Sequence, residues 1–351
     1  LNKLLDGVGA SLGFSSGRDD SGFDGRALAG DIDLLLDLLA EMLTQPTFPE
    51  IELQRLRGQV LTQIGLLNMD TEYRSESAFE AALCGATHPY GRTELGTREG
   101  IAAITRDDIA AFHARYHPAT LTLAVVGDVD TDHILARLGA LLGDWRPASV
   151  APVWAVPSAS LPGQPIELHE QVPGKSQADL VLGVLGMVRY SKDYHPAVVA
   201  NTILGRLGLM GRLGDVVRDQ QGLAYYVSSD LQPGRGEHPW YIYAGVNLDN
   251  LDRAVRSIHS EVARLREELV TPEELLDCQT YLVGTLPLHL ESNRGIAHFL
   301  LNIEEYGLGL DYVARYPEFV QSVTREQIRE VMQRYWPPER YVLAVAGSFK
   351  S

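Results

Sequence analysis

The chain carries two copies of one pattern about 220 residues apart. In each copy a Thr-Arg pair starts a helix, an aromatic-X-Pro triplet ends it, and an alternating apolar strand follows. The first copy comprises Ile104–Ile109, Arg115–Pro118 and Leu123–Gly127, and the second comprises Val323–Ile328, Arg334–Pro337 and Leu343–Gly347. The offset is 324 − 105 = 219 at the first threonine and 347 − 127 = 220 at the last glycine. Self-similarity at so long a period predicts two homologous domains.

Weaker repeats upstream support the duplication. Asp31 and Asn250, which are 219 residues apart, each precede a helix with apolar periodicity. Pro49 and Pro272 each stand at the start of a further helix, a position that proline favours. Their spacing of 272 − 49 = 223 indicates a small insertion between them.

The order of the predicted elements gives the fold class and the domain boundaries. Each unit comprises strands, a helix, a hairpin, long helices and a final strand, which predicts an α+β fold with a mainly antiparallel sheet covered by helices. We expect a first domain over residues 1–146, a Pro/Ser-rich linker over 147–165, and a second domain over 166–351.

The two predicted domains are not equally complete. The second starts near Ile166, with strands around Glu167–Val172 and Ala178–Gly186 and a helix near Ala197–Leu204. The matching start of the first domain would fall at 166 − 219 = −53. We therefore expect that about fifty residues of the first domain, two strands and a helix, precede Leu1.

Composition excludes several classes of partner. With 30 Lys+Arg against 46 Asp+Glu the net charge is −16, which disfavours nucleic acid and anionic membrane surfaces. The uncharged stretch Pro147–Ile166 contains five prolines, so it is not a spanning helix. The two isolated cysteines, Cys84 and Cys278, predict neither a disulfide framework nor a cysteine zinc site.

Motifs of zinc-hydrolase helices and phosphate loops are absent from the sequence. His113 and His117 have the i, i+4 spacing of a shared helix face, but Arg115 lies between them and no carboxylate does, so packing or surface roles are favoured over zinc binding. Gly174-Lys175-Ser176 lacks the upstream glycine of a phosphate loop, because His169 stands there. No His-X-X-Glu-His occurs.

The segment from Gly211 to Val227 is more informative. A short helix is predicted to run to about Gln220, Gly222 would end it, and a strand would follow. Arg218 near the helix end and Tyr225 in the strand can converge on one carbonyl oxygen. Alternatively, Arg218 neutralises the helix C-terminus and Tyr225 packs on a sheet, and spacing alone favours this alternative.

At these residues the chain resembles the pitrilysin/insulinase family of zinc peptidases, the inverzincins. The similarity covers essentially the whole chain. Its most specific segments are His88–Thr97, the Thr-Arg to Val-Val-Gly-Asp run over Thr105–Asp128, and Arg218–Tyr225. The resemblance implies homologous α+β domains, in agreement with the duplication.

The zinc site of the family is degenerate in this sequence. In active members a His-X-X-Glu-His helix and a downstream Glu bind zinc, and the resemblance places that first helix before Leu1. Asn68 stands where the downstream Glu ligand is expected, and a neutral amide is a poor zinc ligand. Glu72 follows about one helical turn later but out of register, and Thr62-Gln63 and Leu12-Gly13 also depart from the family pattern.

The second domain retains the pair that the family uses there. By the resemblance, Arg218 and Tyr225 are the substrate-binding and catalytic residues: they face the zinc across a closed chamber and bind the substrate carbonyl as it becomes an oxyanion. Some bacterial members divide these roles between a zinc-bearing subunit and a partner that supplies Arg and Tyr. This chain resembles the partner, with no cofactor of its own, zinc in a homologous subunit, and a peptide as substrate.

Alternatives to this reading are an active zinc metalloendopeptidase whose zinc helix precedes residue 1, and a non-catalytic structural core subunit. Asn68 opposes the first, and the retained Arg218 and Tyr225 oppose the second. The isolated chain could also form a homodimer, because both domains present related surfaces. The sequence does not specify the substrate peptides, the partner, or a cytoplasmic or periplasmic location.

Overall fold

The computed structural model describes residues 2–146, 155–207 and 211–349. Its α-helices are α1 Asn2–Gly7, α2 Ile32–Thr44, α3 Glu50–Leu67, α4 Thr71–Cys84, α5 Arg98–Ala103, α6 Arg106–His113, α7 Thr131–Leu142, α8 Tyr194–Asn201, α9 Leu251–Glu267, α10 Pro272–His289, α11 Asn293–Glu305, α12 Tyr312–Gln321 and α13 Arg325–Tyr335. Its strands are β1 Ser11–Ser16, β2 Ser21–Arg26, β3 Ile166–Gln171, β4 Gln177–Leu185, β5 Ala224–Leu231, β6 Pro239–Asn247 and β7 Val342–Gly347.

The described residues form two compact units that do not follow chain order. Unit 1 comprises Leu1–Thr62, Gly96–Ala155 and His289–Gly307, and unit 2 comprises Gln63–Leu95, Val156–Leu288 and Leu308–Ser351. The boundaries 1–146, 147–165 and 166–351 describe homologous halves rather than packing units, and they stay a prediction. Of the expected linker, residues 147–154 lie outside the described part of the chain.

Unit 1 is mostly helical. Its strands β1 and β2 form an antiparallel hairpin, and Leu35 and Leu38 of α2 are buried with Leu5 of α1 in a small core. Helices α2 and α7 are also joined by polar contacts: Nε2 of His133 lies 2.9 Å from a carboxylate oxygen of Asp33, and a guanidinium nitrogen of Arg137 lies 2.5 Å from Asp37. Such half-exposed pairs contribute little stability, so the buried leucines hold α2 in place.

The strand predicted at Leu123–Gly127 is not formed, and that prediction was wrong. Residues 121–126 have no regular secondary structure, whereas the second copy of the pattern forms β7. The difference is one of pairing, because β7 is bonded to β3 on one side and β4 on the other. A strand needs such neighbours to satisfy its backbone groups, and the apolar pattern does not supply them.

Unit 2 is built on a five-stranded sheet in the order β3-β7-β4-β6-β5. The β3–β7 pair is parallel and the other three pairs are antiparallel. This mainly antiparallel sheet with helices confirms the predicted α+β class.

Both faces of this sheet are covered, because its strands alternate between two cores. On β4, Leu180 and Leu182 face a large core that also contains apolar residues of α8, α9 and α13, and Val181 and Leu185 face the other side. There they meet α4, whose Phe79 is almost fully buried. The edge strand β5, on which the candidate site lies, is anchored by Ala224, Val227 and Leu231, which are buried in the large core.

The paired helices α6 and α13 begin where the duplicated pattern predicts. Thr105 and Thr324 are their N-caps, and each forms a capping box, with Asp108 and Gln327 respectively. A capping box satisfies two otherwise unpaired backbone N–H groups, which fixes the first helical residue. Among all described residues, no helix is both long and apolar enough to cross a bilayer.

Candidate functional site

The segment that carries Arg218 and Tyr225 folds as a helix, a glycine turn and a strand. Gly214–Gln220 form a π-helical turn, Gly222 adopts the left-handed conformation at φ 62°, and β5 begins at Ala224. This confirms the helix and strand predicted for the segment. Irregular π-helical turns are enriched at functional sites, because they change the direction of a side chain relative to a regular helix.

Two backbone hydrogen bonds close this turn. The amide of Gly222 donates to the carbonyl of Arg218 at 2.9 Å, and the amide of Leu223 donates to the carbonyl of Val217 at 3.0 Å. Tyr225 is two residues beyond Leu223, a separation of about 7 Å in a strand. The turn therefore brings the backbones of Arg218 and Tyr225 near each other. Convergence of their side chains on one point stays a prediction.

Tyr225 projects into solvent because of a β-bulge. Ala224 pairs with Val246 and Tyr226 pairs with Gly245, so Tyr225 is an extra residue without an opposite partner on β6. Bulges redirect side chains at sheet edges, and the Tyr225 side chain is 77% exposed. Its hydroxyl has no hydrogen-bond partner among the described residues, so it is free to donate to a ligand.

Arg218 is also available to a ligand. Its side chain is 39% exposed, and its one ion pair among the described residues is a distant contact of 3.8 Å with its neighbour Asp219. An ion pair this long and exposed contributes little. A partly exposed guanidinium beside an exposed phenol provides several N–H and O–H donors and suits a carbonyl or carboxylate oxygen.

Glycines let this segment pack directly on β5. A Cβ on Gly205 would come within 2.7 Å of the Ser229 amide nitrogen and 3.0 Å of Leu213. A Cβ on Gly211 would lie 3.1 Å from the Cα of Gly205. The segments that flank 208–210 are therefore in close backbone contact, which side chains at Gly205 or Gly211 would prevent. The residues 208–210 themselves lie outside the described chain.

A buried polar network supports β5 from beneath. The indole nitrogen of Trp240 donates to Oδ1 of Asn201 at 2.9 Å, and the hydroxyl of Ser229 donates to the Asn201 carbonyl at 3.0 Å. All three residues are buried. The network links α8, β5 and β6, so the strand that carries Tyr225 has a fixed position. Sequence reasoning missed it, since nothing in the local pattern marks Asn201.

Tyr226, the neighbour of Tyr225, points the other way. Its hydroxyl donates to Oδ1 of Asp179 at 2.6 Å, and Thr71 donates to the other oxygen of the same carboxylate. Burial, followed by the nearby Asp179, raises the pKa of the Tyr226 phenol. A Cβ on Gly245 would lie 2.5 Å from the Tyr226 ring, so Gly245 makes room for it across the bulge.

The residues considered for metal binding do not form a site. Asn68 is exposed just after the end of α3, and its backbone N–H donates to the carbonyl of Ile64 at 3.0 Å. Glu72 lies on α4 instead, so the two residues are not one turn apart on the same helix as the sequence suggested. Burial, then Asp179 and Asp70, raises the pKa of Glu72. Within the described ranges, no group of three or more His, Cys, Asp or Glu side chains is arranged to hold a metal.

The histidines at 113 and 117 do not share a helix face, because α6 ends at His113, and that expectation was wrong. His113 packs against Phe48 and Tyr116, with ring centroids 5.5 and 5.3 Å apart, and burial lowers its pKa. His117 instead accepts a hydrogen bond from the amide of Ala119 at 3.0 Å. His113 therefore has the packing role favoured for it, and His117 caps the short helical turn at Pro118–Thr120.

The His-Pro-Tyr-Gly segment is structural. The Nε2 atom of His88 lies 2.8 Å from the carbonyl of Pro157, and the amide of Gly236 donates to the Tyr90 hydroxyl at 3.1 Å. The buried Tyr90 ring lies 4.0 Å from that of His238. These contacts attach the segment after α4 to two distant loops of unit 2, which the motif alone did not indicate.

A helix-covered α+β sheet with an exposed Arg–Tyr segment at its edge is the combination expected of a pitrilysin-like peptidase homologue. A family model described as the peptidase M16 inactive domain matches residues 103–282, or 282 − 103 + 1 = 180 of the 351 residues. The chain belongs to this family, so the resemblance inferred from its motifs is confirmed. The matched region includes Arg218 and Tyr225 but not Asn68.

Similar proteins are known from several bacteria. The chain is 27% identical to an uncharacterized zinc protease of Mycobacterium leprae, over 100% of this chain and 78% of that protein. It is 24% identical to a non-peptidase homolog of Helicobacter pylori, over 99% of this chain and 80% of that protein. The crystal structure of a peptidase M16 inactive domain from Pseudomonas fluorescens matches with a TM-score of 0.91 and 26% identity, over 100% of this chain and 83% of that one.

Proposed function

We propose that this chain is the non-zinc subunit of a heterodimeric M16 peptidase, in which Arg218 and Tyr225 bind the substrate carbonyl and stabilise the oxyanion during peptide hydrolysis. The observation that carries the proposal is the bulge at Tyr225, which gives an exposed phenol whose hydroxyl is not used within the described structure. The half-exposed Arg218 begins the same turn.

In this proposal the chain contributes electrostatic stabilisation of the transition state. As a peptide carbonyl becomes tetrahedral, negative charge develops on its oxygen, and preorganised donors stabilise that charge more than the ground state. Arg218 supplies a charged donor and Tyr225 a neutral one. The metal, its activated water and the general base belong to the partner subunit in this proposal, because Asn68 stands where the resemblance places a zinc ligand and a neutral amide is a poor ligand for zinc.

Two other functions stay open to test. The Mycobacterium leprae relative is named as a zinc protease, which favours the alternative of an active enzyme with a zinc helix preceding residue 1. The name of the Helicobacter pylori relative, a non-peptidase homolog, fits either a silent partner or a structural core subunit. An exposed tyrosine in a bulge, with a free hydroxyl, has no evident use in a purely structural subunit.

Association with a zinc-bearing homologue tests the proposal directly. The chain with its native N-terminus is co-expressed with a zinc-type M16 homologue from the same genome, and zinc is counted per chain by mass spectrometry. We expect a heterodimer with one zinc on the homologue, none on this chain, and peptidase activity that neither chain has alone. One tightly bound zinc on this chain would support the active-enzyme alternative. An inactive heterodimer would support the structural alternative.

A further inference from the structure

A small cavity in unit 2 lies away from the candidate site, between α9 and the residues that follow α13. It has a volume of about 40 Å³ and opens partly to the surface. Its polar lining residues include His259, Arg266, Trp336 and Tyr341, and most of the others are apolar. One water needs about 10–15 Å³ by this measure, so the cavity has room for a few atoms and no more.

Two N–H donors among the lining residues are buried without a partner. The indole Nε1 of Trp336 and the guanidinium Nε of Arg266 are both shielded from solvent, and neither has a hydrogen-bond partner among the described residues. Trp336 is only 3% exposed. Unsatisfied buried donors cost free energy, so two of them lining one cavity indicate an acceptor that occupies it.

The charge of the cavity restricts that acceptor. Arg266 makes no ion pair with any described carboxylate, so its positive charge is available to the cavity. A negative charge lies nearby, since the Tyr341 hydroxyl donates to Glu167 at 2.9 Å. Burial lowers the pKa of His259, although Glu167 acts in the opposite direction, so His259 is neutral in neutral solution. One cation and a nearby carboxylate favour a single negative charge over two.

The geometry points to a binding site for a small monovalent inorganic anion of the size of chloride, held by Trp336 and Arg266. An anion accepts from both donors at once, and the remaining walls are largely apolar. A water molecule would also accept from both, but it would need acceptors for its own two hydrogens. The Tyr341 hydroxyl donates to Glu167, so its oxygen can accept from only one of these two hydrogens, whereas an anion needs no acceptor.

The first test measures thermal unfolding of the unaltered chain in sodium chloride and in sodium gluconate at equal ionic strength. Gluconate is too large for the cavity, so it controls for general salt effects. With a dissociation constant of about 10 mM, about 150 mM chloride raises the folded-to-unfolded ratio about 16-fold. We expect a saturable rise in Tm with chloride that gluconate does not reproduce. Equal effects of the two salts would overturn the proposal in favour of water.

Variants and a heavier halide locate the site. Trp336→Phe and Arg266→Met should each abolish most of the chloride-specific rise in Tm, whereas Trp145→Phe, in unit 1, should retain it. If either cavity variant fails to fold, the unaltered chain is crystallised and soaked in bromide. An anomalous peak within hydrogen-bond distance of the Trp336 and Arg266 nitrogens supports the site. Bromide found elsewhere only, or a chloride effect unchanged in both variants, contradicts it.

Discussion

At the scale of single residues, one insertion in a strand decides how Tyr225 is presented. Without the bulge, consecutive residues of β5 would alternate between the two faces of the sheet, and both faces are covered. With it, Tyr226 bonds to Asp179 inside unit 2, while Tyr225 remains 77% exposed. The spacing between Arg218 and Tyr225 could be read from the sequence. The bulge could not, because it depends on register with the distant strand β6.

A partly buried histidine gives a separate residue-scale prediction about acid stability. The His195 ring stacks on Phe319 at 5.0 Å, and burial, with the positive charge of Arg189, lowers its pKa to about 4. An unfolded histidine has a pKa near 6.5, so the folded state binds fewer protons between these values. The stabilisation is therefore complete above about pH 6.5 and is lost as the pH falls towards 4.

We expect His195→Phe to flatten this dependence. Phenylalanine fits an aromatic cluster and does not titrate. Between pH 7 and pH 4 the free energy of unfolding should therefore fall by about 1–2 kcal/mol less in the variant than in the unaltered chain, after discounting for incomplete burial. Chemical denaturation at a series of pH values measures the difference. The exposed His298→Gln variant is the control and should behave like the unaltered chain. Parallel pH curves for His195→Phe and the unaltered chain would refute the role of His195.

At the scale of elements, local signals were predictable and pairing was not. The starts of α6 and α13 follow from Thr105 and Thr324, because a capping box involves only four consecutive residues. The strand expected at Leu123–Gly127 did not form, because strands depend on neighbours that are far away in sequence. For the same reason the sequence did not reveal that α4 covers one face of the sheet in unit 2.

The close packing of the Arg218 segment gives an element-scale prediction. Gly205→Ala places a methyl group 2.7 Å from the Ser229 amide nitrogen, in a region without free space. Overpacking of this kind should lower the free energy of unfolding by about 1–3 kcal/mol. Gly284→Ala is a matched control, since its methyl group meets nothing within 4 Å on α10 and should be neutral or stabilise by about 0.5–1 kcal/mol. Urea denaturation measures the free energy of unfolding of both variants. Equal values would show that the structure around Gly205 adjusts to the methyl group without overpacking.

At the scale of the whole molecule, the family match covers the Arg218–Tyr225 pair but not the position of the expected zinc ligand. The matched family region spans residues 103–282, whereas Asn68, where the resemblance places the lost zinc ligand, lies outside it. The duplication and the motifs were sufficient to predict the family. They could not predict the packing units, in which residues 63–95 join the second sheet, because such contacts are not encoded in local pattern.

The catalytic and the structural hypotheses predict different turnover for variants of Arg218 and Tyr225. If this chain contributes to catalysis only through donors, its Arg218 and Tyr225 variants should reduce turnover of the heterodimer without changing its assembly or its zinc content. If the chain is purely structural, the same variants should leave turnover unchanged. Tyr190 provides a matched control, because it is a tyrosine of unit 2 that is 69% exposed and belongs to neither the bulge nor the turn.

The most direct test is the kinetics of the reconstituted heterodimer with Tyr225→Phe, which removes one hydroxyl and almost no volume. We predict that kcat falls about 10²–10³-fold, the usual cost of one oxyanion donor, while KM changes little. Arg218→Ala should cost at least as much, and Arg218→Lys should recover only part of the loss. Tyr190→Phe should have no effect. Turnover by the Tyr225→Phe heterodimer within twofold of the unaltered pair would contradict the account.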